Sequence, residues 1–241
     1  MLAITFNTDS KVRGTLFMDE HRVRKLTRLI PMGIAITQRF SPTRDRVERF
    51  IERTYRRHYG STIVCHYPTL LSVYDERDHV LAAVGLRLAA EEPLFLEQYL
   101  HQPVDALIGS AMDQSVGRDA IVEIGNLTSA GKGASVFLFV ALAAYLRQQN
   151  LAYAVATGTE TLRRSLEMFG VDFWELGIAD PNVLPDGGAS WGSYYEFDPT
   201  IIAGAIRPAF VRLEPYVPRR HNVDLERLFA RSEQRIARTV Q

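Results

Sequence analysis

The chain has 241 residues, 46% hydrophobic and 23% charged, which is enough apolar material for one or two folded domains. Its 28 basic and 28 acidic side chains cancel, which excludes a globally basic nucleic-acid-binding protein. The single cysteine excludes an intramolecular disulfide and a cysteine-based zinc site, and it fits a reducing compartment. We therefore expect a cytoplasmic globular protein that binds no nucleic acid.

The sequence predicts no signal peptide and no membrane-spanning segment. Its most apolar run, residues 136–146, is shorter than the roughly 20 residues that a spanning helix needs. We interpret this run as a buried core helix, with membrane insertion after rearrangement as the alternative. Contact with a membrane surface, without a spanning segment, therefore remains an alternative.

In the first half, residues 33–39 alternate as a strand does, and Ser41-Pro42 is typical of a helix start. That helix is predicted to end at Gly60. Two apolar runs, 70–74 and 80–88, flank a polar turn and predict a hairpin. Residues 7–27 are polar and basic, and we expect them to be partly mobile.

The second half alternates between strands and helices. The first predicted element is a helix at 91–107, continuous or broken at Pro103. The others are a strand at 120–127, a helix at 135–149, a strand at 153–157, a helix from Thr159 to Phe169, strands at 173–178 and 193–197, an ambiguous segment at 201–213 and a basic amphipathic helix at 223–239. This order predicts an α/β (α+β) fold with a mixed central sheet and helices on both faces.

The sharpest local motif joins the strand at 120–127 to the helix that follows it. Gly131 and Gly133 let the backbone approach a ligand closely, and N–H groups at a helix start can bind a phosphate. The motif is not a P-loop, and it lacks the third glycine of a dinucleotide-binding fingerprint. Many such joints bind nothing, so the phosphate site is a hypothesis.

Five segments between Val47 and Asp198 carry a resemblance to a known family: 55–60, 83–88, 93–100, 122–126 and 191–196. They resemble the thermostable hemolysin family, which belongs to the Gcn5-related N-acyltransferase (GNAT) superfamily and is similar to acyl-homoserine-lactone synthases. The resemblance implies a GNAT-like sheet in which the central strands, 120–127 and 153–157, splay apart.

The resemblance also implies an acyltransferase that moves a fatty acyl group from a phosphopantetheine thioester to a small-molecule amine, with no covalently bound cofactor. The donor would be an acyl-carrier protein or acyl-coenzyme A. We favour the carrier protein because its acidic surface would meet a basic helix bearing Arg44, Arg46, Arg49, Arg53, Arg56 and Arg57. The apolar segments 94–100 and 137–145 would suit the acyl chain.

The chain departs from the related patterns at two points. The superfamily's loop usually reads basic-x-x-Gly-x-Gly/Ala, but Thr128 occupies the basic position here, with Lys132 as a partial replacement. Lactone synthases have Glu-x-Ser-Arg on the matching strand, whereas this chain has Asn126 in place of the arginine. Without that arginine, the acceptor of this chain need not be the acceptor that lactone synthases use.

The resemblance implies three sets of site residues. The donor would be bound by Ile124, Gly125, Asn126, Thr128, Gly131, Lys132, Gly133 and Ala134. The acceptor would be bound by Arg87, Asn126 and Trp191. Glu123 is the candidate base, and Tyr194 or Tyr195 is the candidate acid.

Each candidate also has a structural interpretation. Glu123 can pair with Arg87 or Arg118, and Arg87 can form a structural salt bridge. Asn126 can serve as a turn or capping residue. Tyr194 and Tyr195 are adjacent, so one of them would be in the core.

We predict an acyltransferase domain at 1–212, with 1–30 as a partly mobile segment, and a helical extension at 213–241. The six histidines show no metal-ligand spacing, so we expect no metal site. Two other functions stay open. One is a membrane-active protein, to which the amphipathic C-terminal helix points. The other is a non-catalytic protein that binds an acyl ligand or a partner.

Overall fold

A mixed sheet of nine strands runs through the described part of the chain. The computed structural model describes residues 1–8, 11–64, 67–131 and 133–217. The strands are β1 (Leu2–Thr8), β2 (Lys11–Met18), β3 (Gly33–Thr37), β4 (Thr69–Tyr74), β5 (Val80–Leu88), β6 (Ile121–Ser129), β7 (Tyr153–Gly158), β8 (Trp174–Ile178) and β9 (Thr200–Ala205). Their order is β2-β1-β3-β4-β5-β6-β7-β9-β8, with β1–β3 and β6–β7 as the parallel pairs of the described chain. The predicted mixed sheet is confirmed.

Helices cover both faces of this sheet, as predicted. They are α1 (Glu20–Arg24), α2 (Arg44–Tyr59), α3 (Val104–Met112), α4 (Ser135–Gln148), α5 (Glu160–Met168) and α6 (Ile206–Leu213). Helix α4 is apolar on nearly every side and is buried, since it packs against the sheet and against α6. Helix α2 packs on the opposite face.

Helix α2 ends at its predicted residue but begins later than predicted. The Ser41 hydroxyl accepts a hydrogen bond from the Gln38 N–H at 3.0 Å, which closes a turn before the helix starts at Arg44. Gly60 ends the helix with φ of 67°, a left-handed conformation that glycine adopts at low cost. Val47 and Ile51 face the sheet, so most of the helix's arginines face outward.

One sequence prediction was wrong in the last third of the described chain. Residues 193–197 are not a strand but part of the 3₁₀ segment Ala189–Phe197, which crosses the end of α2. At Gly192 (φ 58°) the backbone passes so close to the Tyr59 carbonyl oxygen that a Cβ would collide with it. The ambiguous segment at 201–213 contains β9 and then α6.

The helix predicted at 91–107 is two separate elements. A 3₁₀ segment, Phe95–Tyr99, is followed by α3, which begins after Pro103. Strands β1 and β2 and helix α1 were missed in the N-terminal segment. The amphipathic helix predicted at 223–239 lies outside the described residues. Among the residues that are described, no helix is both long enough and apolar enough to cross a bilayer.

Candidate active site

Strands β6 and β7 separate halfway along their length, as the resemblance implies. They pair from Ile121 opposite Tyr153 to Ile124 opposite Ala156, and the pairing then stops. The register between β5 and β6 shifts just beyond this point, where Asn126 takes a left-handed φ of 52°. A bulge of this kind bends its strand. β6 therefore turns away from β7 and opens a gap between two neighbouring strands.

This gap, here called the crevice, has a volume of about 270 Å³. Its walls come from α2, β6, β7, the start of α4, α5 and the 3₁₀ segment Ala189–Phe197. The lining residues are Thr54, Tyr55, His58, Tyr59, Ile124, Gly125, Asn126, Leu127, Thr128, Ser129, Ser135, Phe139, Thr157, Gly158, Thr159, Thr161, Leu162, Ser165 and Tyr194. Four of the predicted donor-binding residues, Ile124, Gly125, Asn126 and Thr128, are among them.

The glycine turn connects the crevice to the N-terminus of α4. Gly131 and Gly133 both have positive φ, 79° and 77°, and a Cβ at Gly133 would collide with the Leu26 carbonyl oxygen. The Ala134 N–H bonds to the Gly131 carbonyl oxygen at 3.1 Å, which tightens the turn before α4 begins. The turn therefore depends on glycine at these two positions. Lys132 lies outside the described residues.

A second depression, here called the basic groove, lies between α2 and this turn. Its volume is about 890 Å³, and it shares Thr54, His58 and Ser129 with the crevice. Four α2 arginines line it: Arg46, Arg49, Arg53 and Arg57.

The structure corrects the expectation that all six α2 arginines present a basic surface. The Arg44 side chain is buried, where it pairs with Glu48 at 2.7 Å and donates hydrogen bonds to the Tyr67 and Pro68 carbonyl oxygens. Arg46 is partly engaged, since it lies 3.4 Å from an oxygen of Asp78.

A third cavity, here called the apolar chamber, lies on the α4 face of the sheet. It has a volume of about 110 Å³ and an almost wholly apolar lining that includes Leu142, Ala143 and Phe169. It shares four wall residues with the crevice: Ile124, Leu127, Phe139 and Leu162. Segment 137–145 thus contributes to a cavity, whereas Leu94 and Leu96 of segment 94–100 pack in a separate core cluster with Ile121.

Glu123 is buried beside the crevice and is fully engaged. Its carboxylate accepts hydrogen bonds from the N–H groups of Phe95 (2.8 Å) and Leu96 (3.0 Å). The Tyr67 hydroxyl also donates to it, and the Arg87 guanidinium lies 3.9 Å away. Burial raises the pKa of the Glu123 carboxyl, and these donors offset only part of that effect. Glu123 is absent from the crevice lining.

The Tyr67 ring lies over two glycines that face each other across β5 and β6. Gly85 pairs with Gly125, and a Cβ at either position would collide with the ring. The Arg87 guanidinium carbon lies over the same ring, 5.0 Å from its centroid. Burial raises the pKa of the Tyr67 hydroxyl well above its ordinary value, so it stays a hydrogen-bond donor to Glu123. Sequence reasoning missed Tyr67, although the two glycines marked the space for a ring.

Arg87 and Arg118 have different partners. Arg87 pairs with Glu92 at 3.2 Å in addition to its contact with Glu123. Arg118 does not reach Glu123 but bonds to Glu97 (2.6 Å) and Asp105 (3.1 Å). Of the two predicted partners for Glu123, the structure selects Arg87.

The two candidate tyrosines have different surroundings. Tyr194 is buried and lines the crevice, and its hydroxyl donates to the Thr157 carbonyl oxygen at 3.3 Å. The Tyr195 hydroxyl instead bonds to that of Tyr99 at 2.6 Å, outside the crevice lining. The Trp191 ring packs against both, with centroid distances of 5.2 Å to Tyr194 and 6.1 Å to Tyr195. Thr157 and His58, which also line the crevice, were missed because no motif marks them.

Comparisons with known proteins identify the family and the fold. The family described as thermostable hemolysin matches residues 37–210. No curated protein shows a significant match. The acyl-homoserine lactone (AHL) synthase LasI is 13% identical, with a TM-score of 0.53 over 77% of this chain and 95% of its own.

Two further solved structures share the fold. FeeM, an N-acyl amino acid synthase from uncultured soil microbes, is 12% identical, with a TM-score of 0.51 over 74% of this chain and 98% of its own. The CoA-dependent acyl-homoserine lactone synthase BjaI is 15% identical, with a TM-score of 0.51 over 73% and 82%. These likenesses establish a GNAT-like fold of the lactone-synthase type. Because the family match spans most of its length, the chain belongs to the thermostable hemolysin family.

Proposed function

We propose that the protein is an acyltransferase that moves a fatty acyl group from a phosphopantetheine thioester to an amine nitrogen. The observation that carries this proposal is the crevice, which opens where β6 and β7 stop pairing. Polar groups on its wall can bond to the amides of a pantetheine arm. Among the described residues, the buried Thr157 hydroxyl has no hydrogen-bond partner and is one such group.

The three cavities follow one another in the order that such a donor requires. The basic groove and the glycine turn offer cationic and N–H groups for a phosphate. The crevice, which shares residues with the groove, suits a polar, extended arm. The apolar chamber adjoins the crevice and suits a hydrocarbon chain, since burying apolar surface is favourable by about 25 cal/mol per Å².

The shape of the basic groove favours an acyl-carrier protein over acyl-coenzyme A as the donor. Arg49, Arg53 and Arg57 repeat every four residues and so lie on one side of α2. Eight residues of helix span about 12 Å. A row of that length is longer than one phosphate needs, and it complements an acidic protein surface.

Tyr194 is the crevice residue best suited to assist the departing sulfur. The amine nitrogen attacks the thioester carbonyl carbon, a C–N bond forms, and the C–S bond breaks. Burial raises the pKa of Tyr194 well above its ordinary value, and neighbouring tyrosines raise it further. The hydroxyl therefore keeps its hydrogen and can stabilise the developing thiolate by a hydrogen bond.

The remaining candidates have supporting roles in this proposal. Asn126 is at the bulge and lines the crevice, where its amide can contact the donor arm or the acceptor. Trp191 would form part of the acceptor side with Tyr194. Glu123, with both oxygens bonded to backbone N–H groups, is better suited to holding segment Phe95–Tyr99 in place than to exchanging a proton.

The test combines donor binding with transfer. Titration calorimetry with myristoyl-coenzyme A and with myristoyl-carrier protein would measure binding. Release of free thiol in the presence of the twenty amino acids, ethanolamine or putrescine would measure transfer. We expect both, with the carrier protein bound more tightly. If neither donor binds, the proposal is wrong. Binding without thiol release would instead identify a non-catalytic acyl-binding protein.

A matched pair of variants connects binding to the crevice. Ser165 lines the crevice, whereas Glu167 on the same helix is exposed and outside the lining. Ser165→Trp should fill the crevice and abolish donor binding. Glu167→Trp should leave binding unchanged. Equal affinities for the two variants would contradict a donor in the crevice.

A further inference from the structure

An acyl transfer to an amine needs a group that removes a proton from the attacking nitrogen. The crevice wall, as far as the structure describes it, contains one imidazole, that of His58. The other described lining side chains are hydroxyls, phenols, one amide and hydrocarbon groups. Imidazole is the side chain best suited by type to exchange a proton near neutral pH.

Glu123, the base predicted from the sequence, is poorly placed for this task. Glu123 accepts hydrogen bonds from two backbone N–H groups and from Tyr67, and it does not line the crevice. To take up a proton it would have to lose at least one of these bonds in a buried position, which is costly. The proton acceptor is therefore better sought on the crevice wall itself.

The His58 ring is held in one tautomer by its own helix. Its Nδ1 atom lies 2.8 Å from the Thr54 carbonyl oxygen. A carbonyl oxygen can only accept, so Nδ1 carries the hydrogen and Nε2 keeps a free lone pair. His58 is in the last turn of α2.

One aromatic ring, that of Tyr59, connects His58 to Tyr194, the group proposed to assist the sulfur. The His58 ring centroid is 6.3 Å from that of Tyr59, which packs edge-on against Tyr194 at 5.2 Å. All three rings line the same crevice. A substrate amine bound in the crevice would therefore share its wall with the His58 imidazole.

We propose that His58 is a catalytic residue, the general base that accepts the proton of the acceptor amine. This inference rests on the proposed acyltransferase function. As the nitrogen forms its bond to the carbonyl carbon, Nε2 takes one N–H proton. As the C–S bond breaks, the imidazolium returns that proton to the sulfur. Amine and thioester become amide and thiol, and the His58 ring returns to its neutral form.

The test is His58→Gln, assayed with myristoyl-coenzyme A and whichever amine of the panel above the wild type acylates fastest. Glutamine can still donate to the Thr54 carbonyl oxygen but cannot exchange a proton. We expect kcat to fall about 100-fold or more, with donor affinity by calorimetry unchanged. Added imidazole should restore part of the activity of His58→Ala. His101→Gln, an exposed histidine outside the three cavities, should behave as wild type.

Each outcome shows whether or not His58 acts as the general base. A loss of donor affinity with kcat retained would make His58 a binding residue and overturn the inference. A His58→Gln protein as active as the wild type would also overturn it, as would a failure of imidazole to rescue His58→Ala. A wild type that binds no donor and releases no thiol would instead overturn the proposed function, and this inference with it.

Discussion

The Tyr194 hydroxyl donates a hydrogen bond to the Thr157 carbonyl oxygen at 3.3 Å, one residue beyond the last pair between β6 and β7. This bond fixes the 3₁₀ segment Ala189–Phe197 to the strand at the mouth of the crevice. Tyr194 therefore has two parts that one substitution can separate: a ring that packs among aromatic neighbours, and a hydroxyl that donates its hydrogen at the crevice.

Tyr194→Phe should slow acyl transfer while leaving the fold intact. The variant keeps the ring, which packs against Tyr59 and Trp191, but loses the donor. A hydrogen bond to a charged group contributes about 1.5–3 kcal/mol, so kcat should fall about 10- to 100-fold. Steady-state thiol release measures this. Tyr195→Phe is the control, because its hydroxyl bonds to Tyr99 outside the crevice. Equal rates for the two variants would argue against a role for the Tyr194 hydroxyl.

Glu123→Gln should lower stability more than it lowers kcat. A glutamine side chain has one acceptor oxygen, so one of the two N–H groups at Phe95 and Leu96 would lose its partner. The free energy of unfolding in urea should fall by about 1–3 kcal/mol. Glu175→Gln is the control, since its exposed pair with Arg163 should contribute less than about 1 kcal/mol. A Glu123→Gln protein of normal stability with kcat reduced 100-fold would instead identify Glu123 as the base.

The sequence was informative where local chemistry determines structure. The glycines of the turn and the left-handed Asn126 are residue types that such backbone positions require. Residues 193–197 were wrongly predicted as a strand because their adjacent aromatic residues are typical of strands. Tertiary contacts between Gly192 and the end of α2 instead impose a 3₁₀ conformation. His58 and Thr157 face one cavity from different elements, which no local pattern reports.

Gly133→Ala should destabilise the protein more than Gly131→Ala. Both positions have positive φ, which costs a residue with a Cβ about 1–2 kcal/mol. At Gly131 the added methyl group meets open space, but at Gly133 it collides with the Leu26 carbonyl oxygen. The difference between the two free energies of unfolding thus isolates the collision. Equal stabilities of the two alanine variants would contradict the close contact between Gly133 and the Leu26 carbonyl oxygen.

Arg53→Glu should weaken binding of the carrier protein, and the loss should shrink as salt rises. Arg53 lines the basic groove, whereas Arg56 on the same helix is exposed and outside it. Screening at 1 M salt shortens the Debye length to about 3 Å, so an electrostatic contribution should nearly vanish there. Calorimetry at low and high salt measures this, with Arg56→Glu as the control. Equal losses for the two charge reversals would contradict docking at the groove.

Glu97 should contribute stability that disappears in acid. Burial alone would raise the pKa of its carboxyl, but hydrogen bonds from Arg118 and from the N–H groups of Leu94 and Val104 outweigh burial and lower it. A carboxyl whose pKa is lower in the folded chain stabilises the fold above its unfolded pKa, and the benefit is lost as pH falls through the folded pKa.

The comparison with Glu97→Gln isolates this effect from other carboxylates. At neutral pH the wild type should be more stable by about 1.5–3 kcal/mol, because glutamine cannot accept the paired N–H donors of Arg118 at 2.6 and 3.0 Å. The difference should narrow as the pH is lowered from neutral into the acid range below the ordinary glutamate pKa, where the wild-type carboxyl is protonated. Urea unfolding of both proteins across this range measures it. A difference that stays constant with pH would show that the Glu97 charge does not stabilise the fold.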